Sequence, residues 1–304
     1  MHQFNVTILG SGAALPARGR YPSAQVLNAN GSLYLIDCAE GTQMRLRDLG
    51  VSIQKINTIF ISHLHGDHYL GLLGLISTMH LLGREKELII FGPIGLKEIV
   101  NVQLGHSNTY LRFSLIIIEL KVGRDQVFED KNLYVECLPL KHRIDCHGYL
   151  FHEKERERNV IKDQIVKHDL SIQNIRDLKL GSDVISASGK KVKCEEVTTE
   201  ALAPRRYAYC SDTAYIPELA TVLEGFNMIY HEATFADDLQ KRAKETYHST
   251  ARQAGMLARQ AGVKKLLIGH FSSRYKDLSV LLDQACEEFQ NTELAQEGEV
   301  YNIN

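Results

Sequence analysis

No CxxC pair occurs in this chain, and its six cysteines are scattered at Cys38, Cys137, Cys146, Cys194, Cys210 and Cys286. That spacing argues against a disulfide framework and against a cysteine-only zinc site. No apolar run reaches the length needed to span a bilayer. The opening residues, MHQFNVTILG, have no basic start, no longer apolar core and no small-residue cleavage site, so they do not read as a secretory signal. The expected compartment is the cytoplasm, without membrane association. An excess of positive charge is also missing. The formal net charge is -2, so any contact with nucleic acid has to come from a local patch. The glycine-rich turn Gly10-Ser11-Gly12-Ala13-Ala14 lacks the third glycine of a dinucleotide fingerprint, and Pro16 interrupts the helix such a fingerprint would open. A nucleotide cofactor is not expected.

What is present is a compact metal-binding pattern. The 304 residues, 44% of them hydrophobic, suffice for one large α/β domain or two smaller ones. Near the first fifth of the chain stands Ile61-Ser62-His63-Leu64-His65-Gly66-Asp67-His68. The apolar run Thr58–Ile61 before it reads as a strand, and the spacing of Leu72, Leu73, Ile76 and Met79 after it reads as a helix over 69–82. Three imidazoles and a carboxylate in a strand-to-helix turn suit zinc before iron or manganese.

The same event recurs along the chain. Asn30-Gly31 predicts a tight hairpin between strands at 25–28 and 33–36. Asp37-Cys38-Ala39-Glu40-Gly41-Thr42-Gln43 comes next, with Glu40 or Thr42 as candidate caps of a helix at 42–49 and Asp37 as a candidate to orient the histidine turn. Further strands are expected at 88–91, 111–120 and 133–138, and His142 stands just beyond the last. Asp212 succeeds a strand at 207–210, His231-Glu232 succeeds one at 226–230, and His270 succeeds one at 266–268. Ser249 or Thr250, with Gln253, reads as the start of another helix. A lone histidine at a strand end is more often structural; four such events in one chain make a composite metal centre.

Residues 148–195 have another texture, with Lys154, Arg156, Arg158, Lys162 and Lys167 set among Glu153, Glu155, Glu157 and Asp163. A solvated excursion is the plainer reading and an RNA-gripping arm the sharper one. Arg18 and Arg20 lie in a loop expected near the mouth of the site.

Taken together the pattern resembles the metallo-β-lactamase superfamily and, within it, the ribonuclease Z family. Residues 37–43 are similar to that family's DCGEGTQ segment, with alanine replacing the first glycine. His231-Glu232-Ala233-Thr234-Phe235 matches its HEATF segment. His248-Ser249-Thr250-Ala251 and Gly269-His270-Phe271-Ser272-Ser273-Arg274-Tyr275 match its distal signature. The resemblance spans nearly the whole chain. It implies an α/β fold, a four-layer αβ/βα sandwich of the metallo-β-lactamase type, forming one domain over 1–304 with a substrate-binding arm or excursion within 150–195. It implies two zinc ions per subunit, one held by His63, His65 and His142, the other by Asp67, His68 and His270, with Asp212 bridging.

The activity implied is endonucleolytic removal of the 3′ trailer from precursor tRNA by a homodimer. Asp67 would handle the attacking water, and His248, oriented by Glu232, would be the general acid. Arg274, Arg18, Arg20, Lys154, Arg156 and Arg158 are candidate RNA contacts. The chain departs from the family in two places. Its excursion has no Gly-Pro-rich tip, and residues 77–83 replace a serine-, arginine- and glycine-rich loop. The alternatives are a general or cyclic-nucleotide phosphodiesterase on the same scaffold and a non-catalytic RNA-binding protein.

Overall fold

The structure, a computed structural model, describes residues 3–15 and 19–304. Two seven-stranded sheets form its frame. The first runs, edge to edge, through Val300–Asn302, Phe4–Gly10, Ala24–Ala29, Ser32–Ile36, Ile56–Phe60, Leu88–Pro93 and Leu115–Leu120. The second runs through Thr292–Leu294, Leu266–Gly269, Met228–Glu232, Arg206–Cys210, Cys146–Glu153, Leu133–Leu140 and Gln126–Glu129. In each sheet four neighbouring strands are parallel. Their apolar, nearly unbroken sequences (INTIF, LIIFGP, MIYHE, LLIG) suit strands covered on both faces.

Three cores define the layers. Between the sheets lie Phe4, Ile8, Phe60, Tyr149, Phe151, Tyr207 and Tyr230, all essentially inaccessible. Phe60 alone meets Phe91, Tyr149 and Phe151 at ring distances of 5.1–5.4 Å. Outside the first sheet, helices Thr42–Asp48, Leu72–Leu81 and Leu96–His106 pack on Leu35, Ile59 and Ile90. Outside the second, helices Ala251–Ala261 and Ser279–Glu288 cover Ala208, Ile229 and Ile268. The result is the expected αβ/βα sandwich. Gly10 is needed where the first strand turns, because a Cβ there would stand 1.8 Å from the carbonyl oxygen of Pro22.

The chain divides into two compact units, one holding the chain up to His152 and again from Arg205, the other Glu153–Pro204. The second unit has its own core of Leu170, Leu178, Val184, Val192, Cys194 and Val197, built by helices Lys162–Lys167 and Ile172–Lys179 and two short strand pairs. Ser171 and Asn174 close a capping box at the start of Ile172–Lys179.

Several local expectations change. The strand Cys146–Glu153 is buried along its whole length, so residues 148–153 belong to the sheet and the excursion begins later than its charge pattern suggests. The helix expected over 69–82 is interrupted, a short turn at Gly66–Tyr69 preceding Leu72–Leu81, because the Gly71 N–H bonds to the Cys38 carbonyl. The strand expected at 111–120 is confined to Leu115–Leu120. Neither Glu40 nor Thr42 caps Thr42–Asp48: Gly41 is its N-cap at φ 82°, and the Thr42 hydroxyl bonds to the Ala39 carbonyl. The hairpin at Asn30-Gly31 (φ 52° and 88°) and the Thr250–Gln253 capping box are as expected. Among the described residues no helix is long and apolar enough to cross a membrane.

Candidate metal centre and active site

Strand exits from both sheets converge on one point. Ile56–Phe60 delivers the His63–His68 turn, Leu133–Leu140 delivers His142, Arg206–Cys210 delivers Asp212, and Leu266–Gly269 delivers His270. Three of these strands, all but Leu133–Leu140, belong to the parallel sets, where C-terminal ends lie side by side and polar residues just past them are gathered without local sequence contact.

Two clusters result. His63 Nε2 and His142 Nε2 each stand 3.1 Å from His65 Nδ1. His68 Nε2 stands 3.3 Å from His270 Nε2, and Asp67 Oδ2 lies 3.6 and 3.4 Å from those two nitrogens. Asp212 faces both. Its Oδ2 is 3.7 Å from His63 Nε2 and 3.8 Å from His142 Nε2, while its Oδ1 is 3.4 Å from His68 Nε2 and 3.2 Å from His270 Nε2. Ligands at zinc–ligand distances stand about 3.3–3.6 Å apart at the corners of a tetrahedron, and these spacings scatter about that range. Asp212 Oδ1 is buried without a hydrogen-bond donor, which a cation would satisfy. The residues therefore fit two metal ions sharing one carboxylate: His63, His65, His142 and Asp212 offer ligand atoms within 4.8 Å of one another, as do Asp67, His68 and His270, and as do Asp212, His248 and His270.

The electrostatics say the same. Burial disfavours a charged His68, yet Asp212, Asp37 and Asp67 raise its pKa well above the usual histidine value. Burial likewise opposes ionisation of Asp212, but His270, His68 and His63 hold it well below the carboxylate range. His63, buried and next to His68, is driven the other way, to a neutral ring. The cluster is an anionic pocket seeking positive charge.

Four of the histidines are fixed from behind. His68 Nδ1 donates to Asp37 Oδ2 at 2.7 Å, His270 Nδ1 to Thr234 Oγ1 at 2.9 Å, His142 Nδ1 to the Tyr247 carbonyl at 3.0 Å, and His63 Nδ1 to Ser62 Oγ at 3.0 Å. These bonds leave Nε2 free to ligate. Asp37, wholly buried, also accepts from Ser62 N at 2.7 Å, Ser62 Oγ at 2.9 Å and the Tyr209 hydroxyl at 2.7 Å. Asp37, Tyr247 and His270 all have left-handed backbone (φ 55°, 58° and 57°), a conformation non-glycine residues keep only when their surroundings enforce it. At Gly269 no side chain fits, since a Cβ would meet the Tyr230 hydroxyl at 2.2 Å.

A hydrogen-bonded His–Glu pair adjoins the clusters. His248 Nδ1 donates to Glu232 Oε1 at 2.8 Å, and its ring packs 5.1 Å from His142 and 5.5 Å from His270. Glu232 is fully buried and also accepts from Thr213 N at 2.8 Å and Thr234 Oγ1 at 2.7 Å. Burial pulls the His248 pKa down, but Glu232 more than reverses this and lifts it to about 9.

The ribonuclease Z of Bacteroides fragilis strain YCH46 is 44% identical over 299 residues, 98% of each chain. That of Cytophaga hutchinsonii is 43% identical over 303 residues, 99% of this chain and 96% of the other. The chain belongs to the ribonuclease Z family. Among solved structures, human tRNase Z, short form, matches with a TM-score of 0.72 at 26% identity over 99% of both chains. The metallo-beta-lactamase fold protein YhfI from Bacillus subtilis matches with a TM-score of 0.70 at 17% identity over 99% and 100% of the two chains, a likeness of fold. A family model described as Anti-Pycsar protein Apyc1 matches residues 4–153, a stretch that holds the His63–His68 turn but stops short of Asp212, His248 and His270.

The ribonuclease Z centre lies at the floor of a cleft of about 580 Å³. Arg274 lines it, with its Nε on Ser272 Oγ at 2.9 Å and its guanidinium 5.2 Å from the Phe235 ring. Arg20 instead donates to the Tyr275 carbonyl at 2.6 Å and braces the loop after His270. Arg18 lies outside the described residues. In the second unit Arg156 pairs with Glu153, and Arg158 Nε donates to Thr198 Oγ1 at 2.8 Å. Lys154 is half-buried in the same segment.

Sequence reasoning missed four residues. Thr234 joins Glu232 to His270, and membership of HEATF was its only signal. Glu297 Oε1 accepts from Ser11 N at 3.1 Å and Tyr21 N at 2.8 Å. It thereby anchors the loop whose Ala14 N–H donates to Asp67 Oδ2 at 2.7 Å. Arg143 and Arg242 line the cleft.

Proposed function

We propose that the chain is a zinc-dependent endoribonuclease that removes the 3′ trailer from precursor tRNA, leaving a 3′-hydroxyl on the tRNA and a 5′-phosphate on the trailer. The observation that carries this reading is the placement of Asp212 between two converging ligand clusters, in a chain that matches ribonuclease Z almost end to end. Two divalent ions held by His63, His65, His142, Asp67, His68, His270 and Asp212 supply Lewis acidity toward the phosphoryl group and a more acidic water.

The chain's own residues do the rest. Asp67, whose Oδ2 accepts from the Ala14 N–H, orients the attacking water. His248 is the general acid: with Nδ1 on Glu232, its Nε2 is the atom left to give a proton to the departing ribose 3′-oxygen as the P–O3′ bond breaks. Glu232 fixes the ring and stabilises its cationic form. Arg274, stiffened by Ser272 and Phe235, holds a phosphate oxygen.

The reading extends to a cytoplasmic homodimer in which the second unit of one subunit grips the tRNA body. Lys154, Arg156 and Arg158 lie at the chain start of that unit. The test is incubation of purified protein with precursor tRNA, with both fragments mapped to the nucleotide. One metal-dependent cut after the discriminator nucleotide is expected. Turnover of cyclic nucleotides or aryl phosphodiesters with no preference for tRNA would favour a general phosphodiesterase.

A further inference from the structure

The walls of the cleft differ. Beside Asp67 the lining is Leu15, Pro22, Leu70 and the carboxylate of Glu40, the two leucines 68% and 58% exposed. Beside His142 and His248 it carries Arg143, Arg242 and Thr246. Two segments build this second wall. Arg143 directly succeeds His142, and Arg242 sits in the helix Gln240–Thr246 that leads into Tyr247 and His248. The bond from His142 Nδ1 to the Tyr247 carbonyl, 3.0 Å, ties the two segments together.

Both arginines are exposed, and among the described residues neither guanidinium has an ion pair or a side-chain hydrogen bond. Arg20, by contrast, is committed to the Tyr275 carbonyl, and Arg274 has its Nε on Ser272 Oγ. In a chain of net charge -2, two uncommitted guanidiniums over one wall of a reaction cleft are a local anion site. A planar fork of donors suits a phosphate oxygen pair better than any other common anion of RNA.

We propose that Arg143 and Arg242 form a phosphate subsite for the RNA on the tRNA side of the cut, taking the phosphate immediately 5′ of the nucleotide whose 3′-oxygen departs. This rests on the assignment of His248 as the acid. The ribose that receives its proton lies against His248, so the strand leaving that ribose in the 5′ direction runs over the arginine wall. The trailer then runs the other way, where Leu15 and Leu70 offer an apolar surface to a base.

The test pairs Arg143→Ala, Arg242→Ala and the double variant with two precursor tRNAs, each carrying one neutral methylphosphonate. In one it replaces the phosphate 5′ of the cleaved nucleotide; in the other it replaces the first phosphate inside the trailer. On unmodified substrate the single variants should raise KM about 5- to 20-fold with kcat within about twofold, and each lost contact should reduce the salt slope of binding by about 1. On the 5′-neutralised substrate wild type and variants should converge. On the trailer-neutralised substrate the full difference should persist.

Convergence on the trailer-neutralised substrate would reverse the assigned polarity. An undiminished difference on both substrates would overturn the subsite. Zinc content, measured on each variant, should match wild type; loss of metal would mean that the arginines act on the centre and overturn the proposal too. If wild-type protein fails to cut precursor tRNA, it is the function that fails. If His248→Ala keeps full kcat, it is the acid assignment.

Discussion

Asp37 is the most informative residue to change outside the ligand set. It receives four hydrogen bonds, from Ser62 N, Ser62 Oγ, Tyr209 and His68 Nδ1, all between 2.7 and 2.9 Å, and it is wholly buried. Asp37→Asn keeps the shape and tolerates the left-handed backbone, as asparagine does more readily than most residues. It removes the charge and one acceptor. The amide oxygen is best placed at the Oδ2 position, where three donors converge. The NH2 then faces the Ser62 N–H, donor against donor.

Losing a charge-assisted bond in a buried site costs about 1.5–3 kcal/mol, and removing the partner behind a ligating histidine weakens metal binding about 10- to 100-fold. The loss should fall on the ion held by His68, Asp67 and His270. The other site feels Asp37 only through Ser62, so its loss should be smaller. A zinc titration against a chromophoric chelator resolves the two equivalents, with circular dichroism to confirm that the variant is folded. Two equivalents bound with wild-type affinities by a folded Asp37→Asn protein would refute the reasoning, as would equal weakening of both.

The same geometry makes other perturbations informative. His248→Ala should retain both ions and lose about 10²- to 10⁴-fold in kcat; wild-type turnover would remove its acid role. Because an acid must be protonated to act, and Glu232 lifts the His248 pKa to about 9, wild-type kcat should fall as pH rises toward that value. The charge of bound cations moves this limb lower, and His248→Ala should lack it. Glu297→Ala frees the loop carrying Ala14 and should weaken the second zinc equivalent, with Glu297→Asp restoring part of it; unchanged metal affinity would show that the anchor is dispensable.

His152 provides a stability test away from the centre. Burial beside Tyr134 and Phe226 lowers its pKa to about 4. Between that value and the unfolded-state pKa near 6.5 the unfolded chain binds the extra proton. The stabilisation is thus full above pH 6.5 and is lost as pH falls to 4, by up to about 3 kcal/mol. His152→Phe should flatten this acid limb in denaturant unfolding, and an unchanged limb would count against it.

The metal centre is legible in the sequence because its first part is local and its remainder stands at strand exits. His63, His65, Asp67 and His68 occupy six residues, while His142, Asp212 and His270 each come after an apolar run. The two layers of sheet are less so. Cys146–Glu153 is buried on both faces, yet its sequence CHGYLFHE carries two histidines and runs straight into a charged stretch, so its end reads as the beginning of the excursion. The break between Tyr69 and Leu72 is hidden because its cause, a bond from Gly71 to Cys38, comes from another strand exit. Arg143 has a signal in its neighbour His142. Arg242, within QKRAKET, looks like any solvated helix face, and only the position of that helix over the cleft separates it. Glu297 acts on residues more than 270 positions earlier, a relation that no local pattern carries.

The central claim is that one carboxylate, Asp212, unites two ion sites into a centre that cuts RNA. It is tested most directly by adding zinc stepwise to metal-free protein while following cleavage of precursor tRNA. Activity should remain low through the first equivalent and rise with the second, with Asp212→Asn losing both the second equivalent and the cut. Full cleavage by metal-free protein, or an Asp212→Asn variant that binds two ions and cuts like wild type, would contradict it.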